Sequence, residues 1–122
     1  MNIFVYGTLK RGHGNYERLM RRATFLGDAI TAPYWRLGSC GSFPILQRGN
    51  CCVHGEVFNV DRATLRQLDR LESEGTMYQR RRIYVTMEDG GLLRCWTYVG
   101  NPEFWSEPLP QVSNNNWMLA NV

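Results

Sequence analysis

At 122 residues the chain has room for one domain and little more. Hydrophobic residues make up 43% and charged residues 20%, an ordinary globular balance, and no apolar run approaches membrane-spanning length. The formal charge of +3, carried by 13 arginines and one lysine, is too small a surplus to imply nucleic acid.

Arginine's planar fork does suit carboxylate or phosphate ligands. The first strand begins almost at Met1, with no basic-then-apolar leader, so a cytoplasmic protein with no membrane partner is expected. Four cysteines, at 40, 51, 52 and 95, are expected as reduced and mostly buried thiols. A metal cluster at Cys51, Cys52 and His54 is not expected, because a strand sends adjacent side chains to opposite faces.

In chain order, residues 2–6 read as a buried strand and residues 7–14 as a glycine-rich loop. Residues 15–23 suit a short helix with Asn15 as N-cap and with Leu19 and Met20 turned inward. Residues 24–40 mix β-branched and aromatic residues with Gly27 and Pro33, as one long bent strand or two short ones. Residues 41–50 are a turn, a short apolar piece and another turn. Residues 52–60 alternate. Val53, Gly55, Val57 and Asn59 take one face, and Cys52, His54, Glu56, Phe58 and Val60 the other.

The period then changes. Residues 61–72 place leucines at 65, 68 and 71 behind an N-cap Asp61, which is helical spacing. Strand pattern returns at 77–87, turns at Glu88-Asp89-Gly90-Gly91, and comes back as a hairpin partner over 92–99. Residues 100–122 form a polar, proline-bearing tail that wraps the domain or frays. Strands dominate, with one firm helix between them and no regular strand–helix alternation. The expectation is a single α+β domain over 1–122: a small, strongly curved or closed sheet with one or two flanking helices.

Two places carry candidate chemistry. The first is the loop after the opening strand. Its glycines match neither a phosphate loop nor a dinucleotide fingerprint, since His13-Gly14 stands where Lys-Ser/Thr is needed and repeated βαβ units are absent. A backbone turning at Gly7 either presents successive N–H groups to an anionic oxygen or simply ends the strand. The second is Glu72. At about 100° per residue it projects between Leu65 and Leu68, so a carboxylate points toward the core at the end of a helix. Burial and the negative helix terminus would both raise its pKa toward that of a useful proton carrier. A salt bridge to Arg80, Arg81 or Arg82, or fraying into water, is the structural alternative.

Val5-Tyr6-Gly7-Thr8-Leu9, Leu68-Asp69-Arg70-Leu71-Glu72 and Tyr78-Gln79-Arg80 follow one another at a spacing that resembles the γ-glutamylcyclotransferase superfamily. The branch is the γ-glutamylamine cyclotransferase-like and AIG2-like proteins, and the likeness covers residues 2 to about 99. The resemblance implies a small mixed β-barrel with flanking helices and conversion of a γ-glutamyl amide to 5-oxoproline and a free amine. It implies no metal or organic cofactor, and a small-molecule substrate rather than nucleic acid. Carried over by residue, Glu72 is the general acid/base, and Tyr6, Gly7, Thr8 and Leu9 hold the γ-glutamyl head. Several relatives have Gly directly after the acid, where this chain has Ser73; a register shift would make Glu74 the acid. Tyr78 and Tyr98 are candidates for the pocket or for packing, Phe43-Pro44-Ile45 for a wall, and Arg80 for an acidic leaving group or an ion pair. A non-catalytic binding module on the same fold is the alternative function; the sequence does not settle oligomeric state.

Overall fold

The computed structural model describes residues 1–118. Among the described residues seven strands, two α-helices and a closing 3₁₀ turn follow one another: β1 (Asn2–Val5), α1 (Tyr16–Leu19), β2 (Thr24–Thr31), β3 (Trp35–Ser39), β4 (Pro44–Arg48), β5 (His54–Asn59), α2 (Arg62–Leu71), β6 (Tyr78–Met87), β7 (Leu92–Gly100) and the 3₁₀ turn Ser113–Asn115. The strand order is β1-β5-β2-β6-β7-β4-β3, and β1 also pairs with β7. That extra pairing closes β1, β5, β2, β6 and β7 into a five-stranded barrel, and β4 and β3 extend from β7. All pairs are antiparallel except β1–β7 and β4–β7. The sheet is therefore mixed and closed, as expected of the α+β barrel.

Burial on both faces explains the unbroken apolar run of β1. Phe4 and Tyr6 join the cluster that fills the barrel, while Ile3 and Val5 face the layer under the helices. The alternation read in residues 52–60 divides the same way: Val53 and Val57 point into the barrel, Phe58 and Val60 into the helix layer. Gly55 lies against the Phe4 ring, where a Cβ would come within 2.5 Å of the ring edge.

Several expectations need correction. The helix over 15–23 shrinks to the single turn Tyr16–Leu19. Asn15 stands at its N-cap position but makes no side-chain cap bond; its side-chain amide donates instead to Thr8 Oγ1 at 2.8 Å. The chain leaves the helix because Thr24 must pair with Asn59 of β5. Met20 is buried as expected, but Leu19 only half so. Residues 24–40 form two strands. All four cysteines are free, yet only Cys95 is buried; Cys40 is exposed, and Cys51 and Cys52 are intermediate. Among the described residues no group of three or more His, Cys, Asp or Glu could hold a metal, and no helix is long and apolar enough to cross a membrane.

Through residue 118 the tail wraps rather than frays. The amide of Ser39 donates to Pro110 O and that of Val112 to Leu37 O, both at 2.8 Å. Asn115 Oδ1 accepts from the Leu37 amide at 2.9 Å. Trp117, 1% exposed, plugs the barrel interior. The tail is thus part of the core, and only 119–122 lie outside the described residues.

Candidate active site

β7 serves two parallel neighbours in succession. β1 meets it at Trp96 and β4 at Val99. Where β1 ends, β4 takes over, and the strands diverge. Tyr6 sits in that fork: its hydroxyl donates to Tyr98 O at 2.5 Å and accepts from the Leu46 amide at 3.4 Å. The Tyr6 hydroxyl thus bridges β1, β4 and β7 where no ladder bond can.

A cavity of about 340 Å³ opens beside this fork. The segment Tyr6–Leu9 forms one side, Ser42-Phe43-Pro44 another, and Leu71-Glu72 with Met77, Tyr78 and Tyr98 the third. The structure therefore brings all five sequence-predicted site residues, Tyr6, Gly7, Thr8, Leu9 and Glu72, to one hollow. Gly7 is required there by space rather than by backbone freedom. It is not among the residues with positive φ, but a Cβ on it would lie 2.7 and 2.9 Å from Cγ and Cδ of Pro44. A turn from Gly7 O to the Lys10 amide and the Asn15–Thr8 pairs shape the rest of the loop. Among the described residues the amides of Gly7, Thr8 and Leu9 donate to no protein acceptor, so a ligand oxygen could receive them.

The acid reaches the cavity through the way α2 starts and stops. Asp61 caps the start by accepting from the Thr64 amide at 2.7 Å. At the other end Glu72 is the first residue past the helix, with φ −85° and ψ 0°. Ser73 follows in the left-handed region at φ 49°. Its amide bonds Arg70 O at 3.2 Å, and the Glu74 amide bonds Asp69 O at 2.9 Å. These two bonds make a Schellman termination. Glu72 thus lies just beyond the helix rather than within it, still on its inner side. Leu71, 37% exposed, stands at the rim instead of in the core. Glu74 lines no part of the cavity; it is exposed, and its Oε2 accepts from the Arg80 amide at 3.3 Å.

Burial raises the Glu72 pKa from 4.5 to about 7. Its charge in turn adds to the burial that pushes Tyr6 and Tyr78 well above the usual phenol range. Tyr78 donates to Pro44 O at 3.2 Å, fixing the wall opposite the loop. Among the described residues no arginine or lysine lines the cavity, and Glu72 is the one charged side chain that does.

Asp69 is the residue whose part the sequence did not disclose. Its Oδ1 accepts from Tyr98 Oη at 2.6 Å and lies 3.2 Å from Arg80 Nε. The Arg80 approach is an ion pair whose angle falls short of a hydrogen bond. Arg80 is thereby committed to Asp69 and to the face of Trp96, 4.7 Å away, and does not enter the cavity. Asp69 ties the last turn of α2 to β6 and β7, so it fixes where Glu72 begins. The signal was present in the Leu-Asp-x-Leu-Glu spacing: Asp69 and Glu72 are three residues apart, hence neighbours at the helix end.

The sequence model for "Gamma-glutamyl cyclotransferase, AIG2-like" matches residues 3–119, and the chain belongs to this family. The match runs through the tail, beyond the residues 2 to about 99 that carry the motif resemblance. The chain is 43% identical over 99 residues to the gamma-glutamylcyclotransferase family protein YtfP of Escherichia coli strain K12, covering 81% of each chain. It is 41% identical over 108 residues to the gamma-glutamylaminecyclotransferase of Bos taurus, covering 80% of this chain and 64% of that one. The crystal structure of an AIG2-like protein from Mus musculus superposes with a TM-score of 0.74 at 33% identity, covering 88% of this chain and 84% of that one.

Proposed function

We propose that the protein is a γ-glutamylcyclotransferase that acts on γ-glutamyl amides, with Glu72 as its proton carrier. One observation carries the reading: a carboxyl with a pKa of about 7 shares a 340 Å³ cavity with a loop of unclaimed amides. The γ-glutamyl head binds against Tyr6–Leu9, and Glu72 removes a proton from the α-ammonium. The freed amine attacks the γ-carbonyl of the same molecule, so no second reactant has to be gathered. The amides of Gly7, Thr8 and Leu9 receive the oxyanion. Glu72 returns protons to the departing nitrogen as its bond to carbon breaks. Two protons leave the α-nitrogen, the lactam keeps one, and the amine departs as an ammonium.

The far side of the cavity, Phe43, Leu71 and Met77, is apolar. With no cation there to balance it, a leaving amine that bears its own carboxylate is disfavoured beside Glu72. The test is 5-oxoproline release from a set of γ-glutamyl amides by the parent chain and by Glu72→Gln. Turnover of amides with uncharged leaving groups, lowered about 10²–10⁴-fold in the variant, is the expected result. Full activity in Glu72→Gln removes it as proton carrier; saturable binding of every amide without turnover makes the protein a binding module.

A further inference from the structure

A second hollow, of about 630 Å³, lies where residues 102–108 cross β3, β4 and β6; it shares no lining residue with the Glu72 cavity. Arg36, Arg48, Arg81 and Arg82 line it, against a single acid, Glu107. That surplus equals the formal +3 of the whole chain, so the remaining ionisable side chains balance. The arginine excess, scattered in sequence, is concentrated in one groove.

Among the described residues none of the four arginines makes an ion pair. Arg36 is partly engaged, donating to Gln47 Oε1 and Leu109 O, and Arg81 donates to Gln79 Oε1. Arg48 and Arg82 instead lie over the indole faces of Trp35 and Trp96, 5.1 and 4.4 Å from the ring centroids. Trp35 lines the groove and Trp96 does not, so of these two cations Arg48 is the one placed against a groove wall. Tyr34 and Tyr84, residues 65% and 55% exposed, line the same groove. Exposed flat rings beside unpaired guanidinium forks are complementary to a ligand with both a planar base and several phosphate charges. The volume falls in the range that holds one small molecule.

We propose that this groove binds a free nucleoside polyphosphate, with the phosphates on Arg48 and Arg81 and the base against Tyr34. The site is separate from the proposed cyclisation chemistry and does not depend on it.

Calorimetric titration of the full chain at low ionic strength, with metal-free adenosine triphosphate, tests the proposal. Saturable one-to-one binding is expected, weakened at least about tenfold in an Arg48→Glu/Arg81→Glu variant whose melting temperature is unchanged. Tyr34→Ala, at an exposed position, weakens the nucleotide several-fold but leaves inorganic triphosphate unaffected. Inorganic triphosphate binds the parent roughly five- to hundredfold more weakly than the nucleotide, because base stacking is lost. Absence of saturable binding, or unchanged affinity in the arginine variant, overturns the site. Equal binding of inorganic triphosphate or an oligoglutamate overturns the role of the rings. A short oligouridylate that binds more than about tenfold tighter than the mononucleotide reassigns the groove to single-stranded nucleic acid. Release of 5-oxoproline, where the parent shows it, is unchanged in the arginine variant.

Discussion

The two sides of the Glu72 cavity are fixed by opposite means. On the helix side the holding groups are side chains: Asp69 takes Tyr98 and Arg80, and Tyr78 reaches across to Pro44 O. On the loop side the backbone itself is packed, with the Gly7 Cα pressed to the Pro44 ring and the loop amides left open. The side that carries charge is held by partners that can be exchanged. The side proposed to receive charge is held by the absence of a side chain, where even one methyl group is too much. Proton transfer tolerates a flexible carrier, whereas an oxyanion site must be preorganised.

The largest expected effect is on pH dependence. If Glu72 must be ionised to start the reaction, kcat/KM rises with pH and levels above about 7, and near pH 5 it falls to about one hundredth of the plateau. Stability runs the other way. A carboxyl whose folded pKa lies above its ordinary 4.5 holds its proton more tightly when folded, so its contribution is best below pH 4.5 and worsens as pH rises to about 7. Glu72→Gln removes this penalty. Denaturant unfolding at pH 8 is expected to show the variant more stable by on the order of 2–3 kcal/mol, with the gap closing by pH 4. A gap independent of pH would mean that the carboxyl is not desolvated.

Gly7→Ala attacks the loop side. Its Cβ would stand 2.7 Å from a ring carbon of Pro44, the first residue of β4, so that ring or the loop must shift. A loss of about 1–3 kcal/mol is expected from the overpacking, with kcat lowered because the loop amides shift. Thermal unfolding and steady-state kinetics measure both. If alanine is accommodated at full activity, the loop does not need the close approach, and the contrast between the two sides fails.

The parts of this site legible in the sequence were those with a period or a forced residue. The leucine spacing of 65 and 68 and the cap at Asp61 defined α2, and its phase pointed Glu72 inward. Leu71 escaped the same reasoning because the helix ends on it, so its projection no longer has a core to face. Asn15 resembled a cap, yet its partner is Thr8, seven residues back across a loop whose path no local rule supplies. Gly7 was legible as a bend beside possible N–H donors, but the close approach of Pro44, thirty-seven positions away, was not. The closing β1–β7 contact and the buried Trp117 are likewise long-range pairings that leave no periodic trace.

Asp69→Asn addresses the helix side more gently. Asparagine can still accept from Tyr98, but the charge facing Arg80 is gone. A loss of about 1 kcal/mol is expected, since the pair is partly exposed. As a positioning change it should lower kcat more than it alters KM, with the pH limb near 7 kept. A displaced limb would show that Asp69 acts on the Glu72 charge itself rather than on its place.

The smallest effect is the sharpest probe of how the helix side is held. Ser73 occupies the left-handed position that ends α2, at φ 49°, where glycine carries no steric penalty. An L-residue there costs about 1–2 kcal/mol, and glycine's greater freedom in the unfolded chain returns part of that. Ser73→Gly is therefore expected to stabilise by about 0.5–1 kcal/mol, raising the melting temperature by roughly 2–5 °C. If Asp69 and its partners fix Glu72, the substitution changes the termination without moving the carboxyl, and kcat and its pH limb stay as they were. A stabilised chain with lowered kcat would show instead that the termination places Glu72, and that both sides of the cavity are governed by backbone.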